Sequence, residues 1–463
     1  MLKRLVKFAL VGGAIMVVAV FVLVQFFGLR VELGGGGRPH LVFTQTSDAQ
    51  AEAIAEHREA QRANIPTVTE PATPASYWTD FRGPTRDGHY TEQAILTAWP
   101  ATGLTPMWKQ PAGAGYASFV IANDRAFTIE QRASREVVAA YDVETGLELW
   151  TNEWAAEFRE IMGGDGPRAT PMWADGLVYA LGAMGEFRCL DEQTGDVVWR
   201  VNILEDNDAT NLQWGMAASP LIVDDTVVVL PGGPAGRSVV AYDRRTGERV
   251  WSALDDKQAY SSPMLVTLGG ERQLLVLSAT RLIGLRPVTG EVLWDQAWQT
   301  QADINAAQPI VVSDNRVFVS SGYGVGAAVL ELTPAGDGFA VREVWRNIRM
   351  KNRFASSVLH DGYLYGLDES IMACVDIETG ELQWKAGRYG YGQIVLASGH
   401  LIVLTEDGDL ALVRATPEGH DEVARFPVLN GKTWNYPALS GGRLLVRNLR
   451  EMAAFDIRPT DGQ

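Results

Sequence analysis

The sequence predicts an all-β chain closed into a ring of eight four-stranded blades, and three observations lead there. First, a phrase of Asp (once Arg), two residues, Thr-Gly, three residues and Trp occurs five times: Asp142 to Trp150, Asp191 to Trp199, Asp243 to Trp251, Arg286 to Trp294 and Asp376 to Trp384. Its spacing, together with Trp345 in the widest gap, gives a period of about 40 to 50 residues, the size of a β-propeller blade. Degenerate copies at Trp108 and Phe426 bring the outer strands to eight. Second, eight further tight turns flanked by apolar runs mark one inner hairpin per unit. They are Asn123-Asp124, Asp175-Gly176, Asp224-Asp225, Gly269-Gly270, Asp314-Asn315, Asp361-Gly362, Ser398-Gly399 and Gly441-Gly442. Third, the strand Met452 to Ile457 lacks a following Trp, and Trp108 near the front lacks a preceding strand. Pairing the two ends closes the ring and removes its free sheet edges.

Taken in chain order, residues 1–30 read as a membrane anchor. Lys3, Arg4 and Lys7 precede an apolar run from Phe8 to Phe27 interrupted only by Gln25, long enough for a transmembrane helix. A cleaved signal peptide is the alternative, but the run exceeds a signal core and no small-x-small site follows it closely. With no Cys near this segment, attachment through a lipidated Cys is excluded. Residues 31–76 read as a flexible linker. Gly34 to Gly37 is a flexible run, Ile65 to Ser76 is rich in Pro and Thr, and Ser47 with Gln50 can cap a short helix reaching about Asn64, expected as a solvated spacer. Residues 77–463 form the ring. Within each repeat the Gly supplies the positive φ of the turn, and the Asp and Thr oxygens accept backbone N–H groups inside it. The repeat Trp residues fill the wedge between blades.

The formal net charge is −16, and the part beyond the three basic residues of the anchor flank is more acidic still. Such a surface repels phosphate backbones, which argues against a nucleic-acid partner. Cys189 and Cys374 stand at equivalent places in the second and sixth blades, on opposite sides of the ring, and are expected as buried free thiols. The six histidines show no zinc spacing. Gly232-Gly233 and Gly322 to Gly326 lack the helix and the Lys-Ser/Thr ending of a phosphate loop, and no Gly-x-Ser-x-Gly elbow is present.

The repeated Asp-x-x-Thr-Gly-x-x-x-Trp phrase resembles the pyrroloquinoline-quinone (PQQ) repeat shared by quinoprotein dehydrogenases and by the outer-membrane assembly propeller BamB. The resemblance covers nearly all of residues 77–458. The stretch Trp78, Phe81-Arg82-Gly83-Pro84 and Asp87-Gly88 looks like the opening of PQQ-like propellers found in bacteria. Two departures matter: the dehydrogenases carry an adjacent Cys-Cys pair that this chain lacks, and they are usually longer. The assembly propeller, in turn, is anchored by lipid on Cys.

In a propeller, the residues leading into each innermost strand gather at one mouth of the ring. Here they are Tyr116, Asp165 to Arg168, Trp214 to Met216, Tyr260-Ser261, Asp303 to Asn305, Lys351 to Arg353, Tyr389 to Tyr391 and Trp434 to Tyr436. Arg168, Lys351 and Arg353 suit carboxylates, as on PQQ or an acidic peptide, while Trp214 and Trp434 suit a flat ring. Asp165, Asp303, Asn305 and Asn352 supply oxygens that a Ca²⁺ takes. Asp303 is the candidate base should the site be catalytic. Lead-in residues of any propeller also satisfy backbone groups at the channel.

The expected role is a binding platform in the cell envelope: a single-pass protein of the cytoplasmic membrane, with the ring on the periplasmic or extracytoplasmic side holding another envelope protein or a peptide. The alternative is a quinoprotein-like oxidoreductase that binds PQQ with Ca²⁺ and oxidises an alcohol or sugar. A third reading is a pure spacer.

Overall fold

The computed structural model describes residues 13, 16–24, 28–63, 77–100 and 102–459. Eight antiparallel sheets of four strands each form the ring. Blade 1 comprises Val120–Ala122, Arg125–Arg132, Arg135–Asp142 and Glu148–Ala155, and the same order repeats through blade 7, which begins at Gln393–Ala397. Blade 8 takes Ala438–Ser440, Arg443–Arg447 and Glu451–Asp456 from the end of the chain and its outer strand, Pro106–Pro111, from the front. Ala454 lies opposite Trp108 in that seam, so the ring closes as the sequence predicts.

All eight predicted inner turns are present between the first two strands of their blades. In most of them both central residues have positive φ, as at Asp361 (48°) and Gly362 (83°). This is the hairpin turn whose twist matches the strands, and it explains the Gly, Asn and Asp at these places.

The Asp-x-x-Thr-Gly phrase makes two joints at once. Inside the turn, the Asp carboxylate accepts the backbone N–H groups, as from Thr246 to Asp243 (2.8 Å) and from Thr379 to Asp376 (2.8 Å). Between blades, the Trp of the preceding blade lies on the turn. The indole N–H of Trp108 donates to Val143 (2.8 Å), that of Trp150 to Glu192 (2.9 Å), that of Trp199 to Arg244 (3.0 Å) and that of Trp345 to Ile377 (2.7 Å). In each case the acceptor is the carbonyl just after the Asp position. The Gly serves here as well, because a Cβ at Gly247 would sit 2.7 Å from the Trp199 ring. The other four joints depart from the pattern: Trp384 donates to the Thr416 carbonyl (2.9 Å) of a turn without the phrase, blade 7 presents Phe426, which has no N–H, and two more differ at the turn they face. Trp251 faces the one turn where Arg286 replaces Asp and Pro287 follows, and its buried N–H meets no acceptor among the described residues. Blade 5 has a long hairpin, Gly326–Ala335 and Gly338–Asn347, in place of the phrase. Trp294 therefore turns back to Gln273 of its own blade (2.6 Å).

The central channel is filled from the face opposite the mouth by residues 77–88. Trp78, Arg82 and Arg86 are almost completely buried there. Arg86 donates to carbonyls of Ser219, Pro220 and Pro263 in blades 3 and 4 and pairs with Asp80 (2.6 Å). Arg82 reaches the Ser357 carbonyl of blade 6 (3.0 Å). Two guanidiniums can be buried here because inner-strand carbonyls accept their protons. The segment leaves along blade 7, where His89–Tyr90 adds a fifth, parallel strand.

The N-terminal region differs from the sequence expectation. Strand β1 (Leu29–Leu33) pairs with β2 (Pro39–Phe43) as a hairpin whose tip is Gly34 to Gly37. Helix α1 (Ser47–Ala63) follows and is docked on the ring, where a solvated spacer was expected. Ile54 and Arg58 are its buried residues. Arg58 pairs with Glu148 (3.3 Å) and donates to the Pro111 carbonyl (3.1 Å), while Gln50 donates to Ala112 (2.6 Å) and Leu449 (2.7 Å). The helix thus fastens the closing strand of blade 8 to blade 1. Its weak apolar stripe concealed this, because the docking is polar. Among the described residues no helix is long and apolar enough to cross a membrane. The run from Phe8 to Phe27 lies partly outside them, and its described part, residues 13 and 16–24, is helical. The Pro- and Thr-rich stretch 65–76 lies outside them as well.

Candidate functional site

At the mouth of the ring lies a chamber of about 520 Å³. The lead-in loops of seven blades contribute to it through Tyr116, Arg168, Trp214, Tyr260, Ile304, Arg353 and Trp434. Phe81, at the turn of the channel segment, lies at its base against Tyr436, with ring centroids 5.1 Å apart. Gly34 to Gly37 of the N-terminal hairpin lie in it from the other side.

Of the residues picked from sequence, Arg168, Trp214, Arg353 and Trp434 come together on this chamber. Trp434 stacks on Tyr116 at 5.2 Å and packs on Phe354 at 4.7 Å; Trp214 meets Tyr260 edge-on at 5.7 Å. The Arg168 guanidinium lies over Phe158 (4.6 Å) and donates to the carbonyls of Gly164 (2.6 Å) and Gly166. It has no carboxylate partner within ion-pairing distance among the described residues, and burial lowers its pKa.

The other five candidates point elsewhere. Lys351 is held by Asp368 (2.5 Å). Asp303 stands at the rim and pairs with Lys257 (2.9 Å), which holds its carboxyl below the usual range together with Gln299. Asp165 lines a neighbouring cavity beneath the hairpin and accepts the Glu160 N–H (3.2 Å). Asn305 is fully buried, donates to the Ser278 carbonyl (2.8 Å) and accepts from Ser321 (2.6 Å). Asn352, also named as a calcium oxygen donor, is spent on Leu367 and Ser357. The oxygens expected to share a Ca²⁺ therefore diverge, and among the described residues no three His, Cys, Asp or Glu side chains converge into a metal-holding set. The residues present fit a flat, carboxylated molecule by their aromatic and cationic groups, but they do not fit a bound calcium ion.

Three features at the mouth were missed. Lys432 leans on Trp434 (4.5 Å) and donates to the carbonyls of Gly163 (2.8 Å) and Leu33 (3.4 Å); burial lowers its pKa to about 8. Glu406, from the hairpin between the middle strands of blade 7, accepts from Trp434 (3.1 Å) and from the Gly35 N–H (2.6 Å). The glycine hairpin itself is the third: Arg353 donates to the Gly35 carbonyl, and Tyr391 packs so close to Gly35 that no Cβ fits. The alternation of Leu29, Val31 and Leu33, then Leu41 and Phe43, around four glycines was the available signal for a hairpin. Cys189 and Cys374 are buried free thiols, each pushed up to about 12 by burial, which suits packing rather than attack.

No curated protein matches the chain. Among solved structures, BamB from Moraxella catarrhalis superposes with a TM-score of 0.55 at 16% identity, covering 76% of this chain and 99% of that one. A europium-containing methanol dehydrogenase gives 0.61 at 12% identity, covering 82% and 98%. The quinohemoprotein alcohol dehydrogenase ADHIIG from Pseudomonas putida HK5 gives 0.60 at 11% identity, covering 84% and 82%. At these identities the likeness is one of fold. The profile of the family described as outer membrane protein assembly factor BamB matches residues 134–386, more than half of the sequence, and the chain belongs to that family.

Proposed function

We propose that this protein is a binding platform of the cell envelope, tethered to the cytoplasmic membrane by Phe8 to Phe27, whose ring mouth holds an extended segment of another envelope protein. The observation that carries this reading is the glycine hairpin in the mouth. Glu406 and Arg353 take the N–H and the C=O of Gly35, which is recognition of bare main chain. Groups that satisfy one strand's backbone can satisfy another's, and the aromatic walls supply contact for side chains. A family named for an assembly factor supports a protein partner.

A second reading is favoured by Trp214, Trp434, Arg168 and Arg353 around one chamber: a planar polycarboxylate such as PQQ, bound without a calcium site in the described residues. Dehydrogenase activity toward an alcohol or sugar would follow from that reading only. The two are separated by titrating the Gly35→Ala protein, in which the tip is expelled, with the peptide Leu-Gly-Gly-Gly-Gly-Arg and with PQQ plus Ca²⁺. Binding of the peptide, tighter than to the unaltered chain, supports the platform. Binding of PQQ with turnover of an alcohol, and none of the peptide, overturns it.

A further inference from the structure

The hairpin is built inside out. Its cross-strand partners Leu29 and Phe43, Val31 and Leu41, and Leu33 and Pro39 share one face, because directly opposed residues of an antiparallel pair project to the same side. Leu29 and Leu33 are half-buried, Leu33 against the mouth chamber, while the rest of that face opens outward: Val31 is 51%, Leu41 71% and Phe43 64% exposed. On the other face Glu32 is ion-paired with Arg450. A two-stranded hairpin is marginal by itself, and one that shows its apolar side to water loses the main force that would hold it.

The chain next to it says what covers that face. Only Gly28 separates Leu29 from the apolar run ending at Phe27. Residues 16–24 of that run are themselves exposed, Val17 by 70% and Phe21 by 58%. Arg38, beside Pro39, lies exposed, and its long side chain reaches toward lipid headgroups. We propose that the Leu29–Phe43 face of the hairpin lies in the interfacial layer of the lipid bilayer and seats the mouth of the ring against the membrane. This rests on the reading of Phe8 to Phe27 as an anchor. Five residues of strand span about 16 Å, so the tip in the mouth lies about that far from the base of the hairpin. The chamber then faces the bilayer surface, and the segments it meets are those emerging from the membrane.

The test uses the full chain in vesicles of phosphatidylethanolamine and phosphatidylglycerol. Leu41→Cys and Phe43→Cys are labelled with an environment-sensitive fluorophore, and Arg245→Cys, on a turn at the far face, serves as control. Cys189 and Cys374 are buried and do not take up label. The inference expects the chain to float with vesicles and brominated lipids to quench the labels at 41 and 43 by about twofold or more, with the label at 245 unchanged. Flotation with water-like, unquenched labels at 41 and 43 overturns the inference and leaves the anchor standing. Self-quenching between labels at 41 without quenching by lipid assigns the face to a second copy and also overturns it. Failure to float removes the anchor reading, and the inference falls with it.

Discussion

Replacing Trp199 tests whether the repeat phrase holds the blades together through a shared joint. Trp199 is 7% exposed, meets Phe187 (5.3 Å) and Tyr179 (6.2 Å), and covers the Gly247 turn of the next blade. Truncation to Ala removes the indole and leaves a wedge-shaped void, at a cost of about 3 to 5 kcal/mol. The lost hydrogen bond adds about 1 kcal/mol and no more, since the Arg244 carbonyl left behind still accepts from the Tyr179 hydroxyl at 3.0 Å. Phe in place of Trp keeps most of the packing and removes the N–H, so Trp199→Phe should cost about 1 to 2 kcal/mol. Trp251 is the internal control. Its N–H is buried and has no acceptor in the described ring, so Trp251→Phe removes an uncompensated polar group and should leave stability unchanged or slightly raised. Urea unfolding followed by far-UV circular dichroism reads all three. Equal losses for the two Phe variants would refute the indole-to-carbonyl joint, and an unchanged midpoint for Trp199→Ala would refute the wedge.

Arg58→Ala should cost about 3 kcal/mol, because it cuts the buried link from α1 to Glu148 and Pro111, and proteolysis within 47–63 should accelerate before the ring unfolds. Gly35→Ala should leave the ring's melting midpoint unchanged while amide exchange at residues 33–38 rises, since Tyr391 admits no Cβ there. Burial holds the Lys432 ammonium at about 8, below its ordinary 10.5. The folded state therefore disfavours the charged form in full below about pH 8, and this penalty is lifted as pH rises from about 8 to about 10.5. The protein should gain stability across that window relative to Lys432→Met, measured by thermal melts at stepped pH.

The parts legible in the sequence are those set by local backbone demands. The inner turns need positive φ at two adjacent residues, and Asn123-Asp124 or Asp361-Gly362 declare that at a glance. The seam was legible because Trp108 and Met452 to Ile457 each lacked a partner. The channel segment was not, since nothing local to Arg82 and Arg86 tells of the carbonyls of blades 3, 4 and 6 that surround them. The site divided along the same line. Placement at a lead-in loop finds the mouth, but an irregular loop imposes no fixed side-chain alternation, so Arg353 reaches the chamber while Lys351, two residues earlier, is drawn to Asp368. Gly34 to Gly37 misled because a glycine run fits both a loose tether and a tip that must pass close over an aromatic ring.

The segment in the channel also constrains how the molecule is made. Seven blades are meanders of consecutive strands that can form as soon as their residues are available. Residues 77–88 touch blades 1, 2, 3, 4, 6 and 7, and Pro106–Pro111 awaits Glu451–Asp456. The front of the chain must therefore stay unsatisfied until almost the whole sequence has been synthesised, with Trp78 and Trp108 exposed meanwhile. Such long-range closure is slow and vulnerable to aggregation. Premature release short of Asp456 would yield an open arc with a bare edge and an empty hub, a natural client for chaperones or proteases.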